Sequence, residues 1–365
     1  WVFTIKDSGK YKARLVAQGH TQKAGIDYQE TFAPVIRYDS VRLFLALASC
    51  LKLIVYQMDV DTAFLNSTMD EPVYVKQPPG FVNERNPDYV WELYGGMYGL
   101  KQAPLLWNEH INNTLKKIGF CRHEGEHGLY FRSTSDGPIY IAVYVDDLLV
   151  AAPSPKIYDR VKQELTKLYS MKDLGKVDKF LGLNIHQSSN GDITLSLQDY
   201  IAKAASESEI NTFKLTQTPL CNSKPLFETT SPHLKDITPY QSIVGQLLFC
   251  ANTGRPDISY PVSLLSRFLR EPRAIHLESA RRVLRYLYTT RSMCLKYRSG
   301  SQLALTVYCD ASHGAIHDLP HSTGGYVTLL AGAPVTWSSK KLKGVIPVPS
   351  TEAEYITASE TVMEI

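Results

Sequence analysis

Two adjacent aspartates between two apolar runs constrain this chain more than any other feature of its sequence. The runs are Ile139–Tyr144 and Leu148–Ala152, and Val145, Asp146 and Asp147 separate them. Short apolar runs with a polar break between them predict a β-hairpin. Adjacent carboxylates repel each other and are costly beside a dry core unless a counter-charge is present. The hairpin therefore predicts two like charges at one end of a sheet, where a cation would stabilise them.

A third carboxylate follows another apolar run. Leu53–Met58 predicts a buried strand, and Asp59 comes directly after it. If this strand neighbours the hairpin, Asp59 joins Asp146 and Asp147 in a cluster that offers only oxygen ligands, which hard divalent cations such as Mg²⁺ prefer. Two such ions can support in-line phosphoryl transfer. The alternative is a solvated turn, since aspartate is common in turns.

Composition narrows the class of protein without naming a function. With 365 residues, 44% hydrophobic and 21% charged, the chain is globular in composition and long enough for two to three domains. Its 39 basic and 36 acidic residues give no overall signal for nucleic acid. The six cysteines are scattered, which predicts free thiols rather than a zinc site or disulfides. No apolar run is long enough to predict a membrane span, and the missing initiator Met suggests a fragment.

Two basic segments are candidates for phosphate contacts. From Ser8 to Ile26 the sequence has no acidic residue but contains Lys12 and Arg14, as suits a triphosphate clamp. The alternative for this segment is a solvated strand face.

The second basic segment runs from Arg267 to Arg298, with nine Lys or Arg and two acidic residues. On its predicted helix the apolar residues share one face, and the arginines lie largely off that face. This separation suits contacts with a nucleic-acid backbone, and the alternative is again a solvated face. These arginines are Arg281, Arg282 and Arg285.

Several longer strings resemble the motifs of one enzyme family. They are Lys12–Gly19, Gly25–Tyr28, Glu30–Val35, Tyr56–Asn66, Tyr98–Pro104, Tyr144–Asp147, Met171–Gly175, Phe180–Gly182 and Thr253–Ile258. In this order they are similar to reverse transcriptases of copia/Ty-type LTR retrotransposons. The chain is therefore identified as a member of that family, covering the reverse transcriptase and ribonuclease H portion of a Pol polyprotein.

The resemblance implies an α+β fold. It implies a right-hand polymerase with fingers, palm and thumb, followed by a partial RNase H-like α/β domain. We expect the fingers and palm in residues 1–210, the thumb or connection in residues 211–300, and a truncated RNase H-like domain in residues 301–365.

The resemblance also implies roles for individual residues in the polymerase. Asp59, Asp146 and Asp147 would be catalytic and would bind two Mg²⁺ ions, with Mn²⁺ as a substitute. Lys12 and Arg14 would bind the nucleotide triphosphate.

Other residues would contact the nucleotide sugar, the template or the primer. Phe64 falls where the family places a bulky gate against the sugar 2′-hydroxyl, although core packing is the alternative. Gln102 would lie beside the incoming nucleotide and the template. Phe180, Leu181 and Gly182 resemble the strand that grips the primer.

The last block resembles a copia-type ribonuclease H domain. Asp310 ends a predicted strand and would bind metal together with Glu354, for which Glu352 is a close competitor. The sequence has no Asp after Asp318, and Ser312 and His313 stand where the family usually has Asp and Trp. A two-metal nuclease site needs further carboxylates, so we expect no ribonuclease H activity.

The expected function is RNA-directed DNA polymerisation in replication of the element. The expected partners are an RNA or DNA template–primer, deoxynucleoside triphosphates and other element-encoded proteins in a virus-like particle, without a membrane. The expected location is the cytoplasm and the nucleus. The alternative is a degenerate, inactive remnant, because Leu105 replaces the arginine that usually follows Pro104.

Overall fold

The computed structural model describes residues 1–5, 9–210, 216–220, 224–227, 230–312, 322–342 and 350–364. The chain forms two compact units that each use two segments. The first unit contains Trp1–Arg37 and Ile54–Lys176, and the second contains Tyr38–Leu53 and Val177–Ile365. The domain boundaries expected near residues 210 and 300 stay predictions.

Helices and strands both occur along the described residues, often as runs of several strands or several helices. The helices are α1 (Tyr38–Cys50), α2 (Ala103–Lys117), α3 (Pro155–Thr166), α4 (Gln198–Glu207), α5 (Thr238–Thr253), α6 (Ser259–Leu265), α7 (Ala274–Thr289) and α8 (Ser350–Met363). The strands are β1 (Val2–Ile5), β2 (Tyr11–Arg14), β3 (Ile54–Val60), β4 (Thr68–Lys76), β5 (Val90–Gly95), β6 (Cys121–Arg122), β7 (Leu129–Thr134), β8 (Gly137–Tyr144), β9 (Asp147–Ala152), β10 (Met171–Lys176), β11 (Lys179–Phe180), β12 (Leu183–Gln187), β13 (Ile193–Ser196), β14 (Leu295–Tyr297), β15 (Thr306–Ser312), β16 (Thr323–Leu330) and β17 (Ala333–Lys341). Short 3-10 turns cover Gly19–Thr21, Ala63–Asn66, Lys224–Phe227, Pro256–Ile258 and Ser266–Phe268.

The first unit is built on a six-stranded antiparallel sheet with the order β10-β3-β9-β8-β7-β6. Side chains alternate along β3, so Tyr56, Met58 and Val60 are buried on one face, while Gln57 and Asp59 lie on the other. Helices α2 and α3 cover the first face with apolar residues at helical spacing. These are Trp107, Ile111 and Leu115 from α2 and Ile157, Val161 and Leu165 from α3. This packing fixes the strand that carries Asp59.

Sequence patterns located most of these elements, with three corrections. The predicted hairpin is confirmed as β8 and β9. Ser40, whose type and place before the run Val41–Lys52 predict a helix N-cap, does not cap the helix: α1 begins at Tyr38, and Ser40 is buried within it. Asp59 does not follow its strand, and Asp310 does not end its strand. Both lie inside their strands, because antiparallel pairing continues past the apolar residues. A run of apolar residues marks burial, whereas the strand ends where its hydrogen-bond ladder ends.

The second unit combines helices with two sheets. Strands β11 to β14 form one antiparallel sheet, and β15 to β17 form another, against which α8 packs. Helices α5, α6 and α7 pack together through buried residues such as Leu247, Val262 and Leu284. Among the described residues, no helix is both long and apolar enough to cross a membrane.

Candidate active site

Asp59 and Asp147 lie side by side on neighbouring strands. They are direct partners in the pairing of β3 with β9, and directly paired residues share one face of a sheet. Lys172 of β10 pairs with Asp59 on its other side, and Tyr144 of β8 pairs with Asp147. One row across four strands thus carries a lysine, two aspartates and a tyrosine. Asp59, Asp147 and Asp146, which lies in the turn before β9, form what we call the carboxylate edge.

The turn that carries Asp146 has a strained backbone. Val145 has a φ of 54°, which for a β-branched residue costs on the order of 1–3 kcal/mol. The Trp107 indole N–H donates to the Val145 carbonyl at 2.7 Å, and the Val60 amide donates to the Asp146 carbonyl at 2.8 Å. Thr62, in the loop after β3, has a φ of 53°. Strain of this kind concentrates at functional sites, which favours a site over a solvated turn.

The carboxyl groups of this edge repel one another. Burial raises the pKa of Asp147, and the negative charges of Asp146 and Asp59 raise it further. The Gln57 side-chain amide donates to Asp147 Oδ1 at 3.3 Å and offsets part of that rise in pKa. Because like charges in a half-buried position cost free energy, a bound cation would stabilise this arrangement.

A cavity of about 800 Å³ in the first unit opens beside the carboxylate edge. Three acidic and three basic side chains contribute to its wall. They are Asp59, Asp61, Asp146, Lys12, Arg14 and Lys172. Apolar surface comes from Leu65, Trp91 and Tyr98 among others. Such a wall suits a ligand that combines anionic groups with a flat ring, because the basic side chains can bind phosphate while the acidic ones bind a cation.

The carboxylate edge fits a hard divalent cation by its chemistry. Asp59, Asp146 and Asp147 supply oxygen atoms alone, the ligand type that Mg²⁺ and Mn²⁺ take. Within the described ranges, however, no three His, Cys, Asp or Glu side chains are gathered closely enough to hold a metal ion. The Lys172 ammonium instead lies 3.6 Å from Asp59 Oδ1. The edge is therefore of the right type for a cation but is balanced here by a lysine.

Asp61 is tied to the chain segment that carries Lys172. The Asp61 amide donates to the Ser170 carbonyl at 2.9 Å, and the Ser170 hydroxyl donates to Asp61 Oδ2 at 3.0 Å. The Lys172 ammonium also forms an ion pair with Asp61. This hydrogen bond from Lys172, followed by that from Ser170, lowers the pKa of Asp61. Lys172 thus bridges Asp59 and Asp61.

The two predicted triphosphate ligands share one face of the β1–β2 hairpin. Lys12 and Arg14 are two residues apart on β2 and both line the cavity. The Arg14 guanidinium lies 5.5 Å from the centre of the Tyr98 ring. Burial, then the nearby charge of Asp146, raises the pKa of Tyr98. Tyr98 therefore stands between the basic hairpin and the carboxylate edge.

Phe64 packs behind Tyr98. The two rings meet edge to face with centroids 4.8 Å apart. Phe64 also packs against two apolar clusters, one that includes Ala63 and one that includes Ala103. Of these two aromatic residues, both in the described part of the chain, Tyr98 lines the cavity beside the carboxylate edge and Phe64 does not. Phe64 thus supports the cavity wall from behind, and its role as a gate stays a prediction.

Gln102 uses its amide group to hold a neighbouring loop. Its Oε1 accepts a hydrogen bond from Gln22 Nε2 at 3.0 Å, and its Nε2 donates to the Asp27 carbonyl at 3.2 Å. The adjacent Lys101 donates through its amide to Gln22 Oε1 at 2.8 Å. Gln102 could contact a nucleotide only if its hydrogen bonds to Gln22 and Asp27 were broken and replaced by hydrogen bonds to the nucleotide.

Comparison with known proteins identifies the family. A family model described as "Reverse transcriptase (RNA-dependent DNA polymerase)" matches residues 1–222. That range contains the whole carboxylate edge and the cavity beside it. The chain belongs to the reverse transcriptase family.

Several of its relatives are polyproteins of transposons. The Retrovirus-related Pol polyprotein from transposon RE1 of Arabidopsis thaliana is 38% identical over 369 residues, covering 100% of this chain and 25% of the relative. The corresponding polyprotein from transposon TNT 1-94 of Nicotiana tabacum is 36% identical over 374 residues, covering 99% of this chain and 28% of the relative. These are copia-type polyproteins, which confirms the resemblance seen in the sequence. The chain spans about a quarter of their length.

One solved structure supports the fold. The foamy viral protease-reverse transcriptase in complex with ds DNA is similar with a TM-score of 0.51 and 16% identity, covering 99% of this chain and 55% of that chain. At this identity the likeness shows the fold alone. The structure is mixed α/β, which is consistent with the expected α+β polymerase fold, while the division into fingers, palm, thumb and an RNase H-like part stays a prediction.

The hairpin of Phe180, Leu181 and Gly182 forms a tight turn in the second unit. Leu181 and Gly182 have φ values of 50° and 80°, as a two-residue hairpin turn requires. The Phe180 side chain is 1% exposed. The Tyr38 hydroxyl donates to the Leu181 carbonyl at 3.0 Å, and a Cβ on Gly182 would lie 3.3 Å from the Phe249 ring. A primer contact here would come from the turn backbone and Leu181, not from the Phe180 ring.

The three arginines of α7 differ in exposure. Arg281 is exposed. Arg282 is half-buried and donates to the Thr218 hydroxyl at 3.0 Å. Arg285 is 11% exposed and pairs with Glu278 at 2.6 Å. The basic face of this helix is therefore narrower than the sequence pattern predicts, because two of its arginines bind within the protein.

Asp310 and Glu354 are both exposed in the part of the chain that the structure describes. Asp310 pairs with Gly325 in the middle of β15. Helix α8 buries Ala353 and Thr357 against the sheet, and Glu354 follows Ala353 at the margin of that face. Glu352 stays an alternative to Glu354. His313 and Asp318 lie outside the described residues.

Three residues of the site had no role assigned from sequence: Asp61, Tyr98 and Lys172. All three stand inside strings that resemble the family's motifs, and this position was the feature of the sequence that could have indicated a role. Their contacts depend on strand register and loop packing between segments far apart in the chain, and local patterns do not encode such contacts.

Proposed function

We propose that this chain is the RNA-directed DNA polymerase portion of a copia/Ty-type Pol polyprotein, which extends a primer 3′-end with deoxynucleotides. The observation that carries the proposal is the direct pairing of Asp59 with Asp147, beside a cavity whose wall includes Asp146. Family membership supplies the reaction class, since the matched range includes all three aspartates.

Asp59, Asp146 and Asp147 would hold two Mg²⁺ ions, or Mn²⁺ in their place. Such ions, when bound, activate the primer 3′-hydroxyl and neutralise charge on the pyrophosphate leaving group. The residues themselves present oxygen ligands from a sheet that α2 and α3 hold rigid. The hydrogen bonds to Val145 and Asp146 keep the strained turn in register with β3.

The cavity wall would bind the nucleotide. Lys12 and Arg14 would donate hydrogen bonds to its phosphates, which is the strong, charge-assisted type of contact. Tyr98, supported by Phe64, would press against the sugar and exclude a 2′-hydroxyl by steric contact. Gln102 would contact the templating pair after exchanging its present loop contacts.

The rest of the chain would bind the template–primer and extend the fold. Arg281, with Arg282 and Arg285 less accessible, would contact the backbone without reading sequence. The turn at Leu181 would approach the primer.

The family also suggests a division of the chain into subdomains. We assign fingers and palm to residues 1–210, thumb or connection to residues 211–300, and an RNase H-like part to residues 301–365. The last part would use Asp310 and Glu354 as metal ligands.

The partners and location follow from the family. The relatives are Pol polyproteins of transposons. We therefore assign an RNA or DNA template–primer and deoxynucleoside triphosphates as ligands. Other element-encoded proteins would join the chain in virus-like particles in the cytoplasm and the nucleus.

A second candidate is a non-enzymatic remnant of such an element. Leu105 favours it, because a leucine at this position cannot make the phosphate or template contact of an arginine. The two candidates differ in whether the chain synthesises DNA.

The experiment is homopolymer-templated DNA synthesis by the purified chain, with Mg²⁺, with Mn²⁺ and with EDTA. We expect metal-dependent synthesis that Asp146→Asn abolishes, while binding of template–primer persists in that variant. Equal synthesis by wild type and Asp146→Asn would remove the metal assignment. Wild type that binds template–primer but makes no DNA would favour the remnant.

A further inference from the structure

Lys172 occupies a specific place at the carboxylate edge. It is the cross-strand partner of Asp59, so its side chain shares the face that carries Asp59 and Asp147. Its Nζ lies 3.6 Å from Asp59 Oδ1 and forms an ion pair with Asp61. The side chain is 60% exposed, so it can change position without unpacking a core. The positive charge of Lys172 therefore lies next to Asp59, where the proposed function requires a divalent metal ion.

Asp61 provides Lys172 with a second binding partner. Asp61 is itself fixed by two hydrogen bonds to Ser170, through its amide and its carboxylate. The lysine can therefore give up Asp59 and remain paired with Asp61. This arrangement allows the charge beside Asp59 to change while the strand pairing of β10 with β3 stays intact.

The positive charge of Lys172 would repel a divalent cation at the carboxylate edge. A cation bound by Asp59 would lie within several ångströms of the Lys172 ammonium, and two positive charges at that separation repel. Because the lysine is largely exposed, solvent and salt screen the effect but do not remove it.

We propose, on the basis of the proposed function, that Lys172 is a built-in counter-ion of Asp59 that competes with the divalent cation. The ammonium neutralises Asp59 when no metal is bound, and it shifts toward Asp61 when the metal binds. Lys172 thereby weakens metal binding and sets the cation concentration at which the site fills. It is a positioning residue for Asp59, and it contacts neither substrate nor reacting atoms in this role.

The alternative is a purely structural ion pair that joins β10 to β3. Lys162 is the matched example of that kind. It also bridges two aspartates, Asp159 at 2.8 Å and Asp173 at 2.9 Å. Asp173 pairs with Met58, which belongs to the face covered by helices. Lys162 therefore tests the loss of a double ion pair away from the carboxylate edge.

The test measures the equilibrium binding of Mn²⁺ to the full chain at low ionic strength. Electron paramagnetic resonance reports the concentration of free Mn²⁺ at each step of the titration. We expect Lys172→Met to bind Mn²⁺ on the order of tenfold more tightly than wild type. Lys172→Arg and Lys162→Met should bind as wild type does. The gain in Lys172→Met should shrink as salt is raised. Circular dichroism of each variant checks that the fold is kept.

Asp59→Asn separates failure of this inference from failure of the proposed function. If Asp59→Asn weakens Mn²⁺ binding but Lys172→Met leaves it unchanged, the counter-ion role of Lys172 is wrong and the metal site stands. If Mn²⁺ binding does not depend on Asp59, the metal assignment fails and this inference fails with it. Equal tightening by Lys172→Met and Lys162→Met would also overturn it, since general loss of positive charge would then explain the gain.

Discussion

Two buried arginines of the second unit, Arg42 and Arg255, donate hydrogen bonds to oxygen acceptors, whereas Asp147 at the carboxylate edge of the first unit faces like charges. Arg42 of α1, buried in the second unit, donates to the carbonyls of Val335, Asn252 and Thr253 at 2.6 to 2.8 Å. Its guanidinium also lies 3.9 Å over the Trp337 ring. At the carboxylate edge, by contrast, burial and then the neighbouring negative charges raise the pKa of Asp147.

A second network shows the same contrast for an aspartate. Arg255 is 3% exposed and donates two hydrogen bonds to Asp257, at 2.9 and 2.7 Å. The Tyr286 hydroxyl donates to Asp257 at 2.8 Å. Burial alone would raise the pKa of Asp257, but these bonds, chiefly from Arg255, hold it below its ordinary value.

The difference separates charges that stabilise the fold from charges that carry out chemistry. A buried aspartate with an arginine partner is satisfied and contributes to stability. A half-buried aspartate beside two others lowers stability and is retained where function needs it. The following predictions test that distinction.

The largest effect is expected from Arg42→Ala. This change leaves three carbonyls without a donor, at about 1–3 kcal/mol each, and removes the contact with the Trp337 ring. We expect the free energy of unfolding to fall by about 4 kcal/mol, measured by urea denaturation. The exposed Arg281, changed to Ala, should alter it by less than about 0.5 kcal/mol. Similar losses in both variants would show that burial of Arg42 is not the cause.

The same Asp-to-Asn change should have opposite signs in the two units. Asp257→Asn leaves the Arg255 charge buried without its counter-charge and should lower the free energy of unfolding by about 3 kcal/mol. Asp147→Asn removes a repelled charge and should leave the free energy equal or up to about 1 kcal/mol higher. Urea unfolding at neutral pH measures both. A clear loss of stability in Asp147→Asn would mean that the carboxylate edge is structural.

A smaller effect is expected in the cavity wall. Phe64→Ala removes the ring that supports Tyr98 and should let that ring move away from the sugar position. We expect ribonucleotide use relative to deoxynucleotide use to rise about tenfold. The measurement is the ratio of kcat/KM values for the two nucleotides in one preparation, which cancels differences in folded fraction. Phe64→Tyr keeps a ring and should keep the ratio, whereas an unchanged ratio in Phe64→Ala would assign Phe64 to packing alone.

The smallest effect is a pH dependence in the second unit. The Ser299 amide donates to Asp192 at 2.9 Å and Lys296 pairs with it at 2.9 Å, which lowers the pKa of Asp192 from 3.8 to about 2. A folded-state pKa below the unfolded value gives stability that is complete above the unfolded value and is lost as pH falls toward the folded value.

Acid titration of stability checks this sign. The free energy of unfolding of wild type should exceed that of Asp192→Asn by a constant amount above about pH 5, and the difference should shrink between about pH 4 and 2. A difference that does not depend on pH would mean that the charge of Asp192 is not involved.

Much of the first unit could be predicted because its strands are marked by short apolar runs that are visible in the local sequence. The apolar runs around Asp146 and Asp147 predicted β8 and β9, and the run before Asp59 predicted β3. The family-like strings then indicated which residues belong to one site. Contacts between distant segments were not predictable in this way. The approach of Lys172 to Asp59 depends on the register of β10 against β3, and the strain at Val145 has no sequence signal, because valine rarely adopts a positive φ.

The second unit shows where pattern analysis fails. Arg285 lies off the apolar face of α7 by helical spacing, yet its side chain is 11% exposed and pairs with Glu278 of the same helix. Phe180 stands in a motif that resembles a primer contact, yet its ring is buried. Helical spacing gives the direction of a side chain, but not what other segments place over it.

The most direct test of the account is primer extension by Asp59→Asn compared with Asp61→Asn. Both aspartates contact Lys172 and line the same cavity, but only Asp59 pairs with Asp147 across the sheet. We predict that Asp59→Asn lowers the rate at least about a hundredfold, while Asp61→Asn stays within about tenfold of wild type and both variants remain folded. Wild-type synthesis by Asp59→Asn would contradict the claim that these three aspartates form the catalytic site.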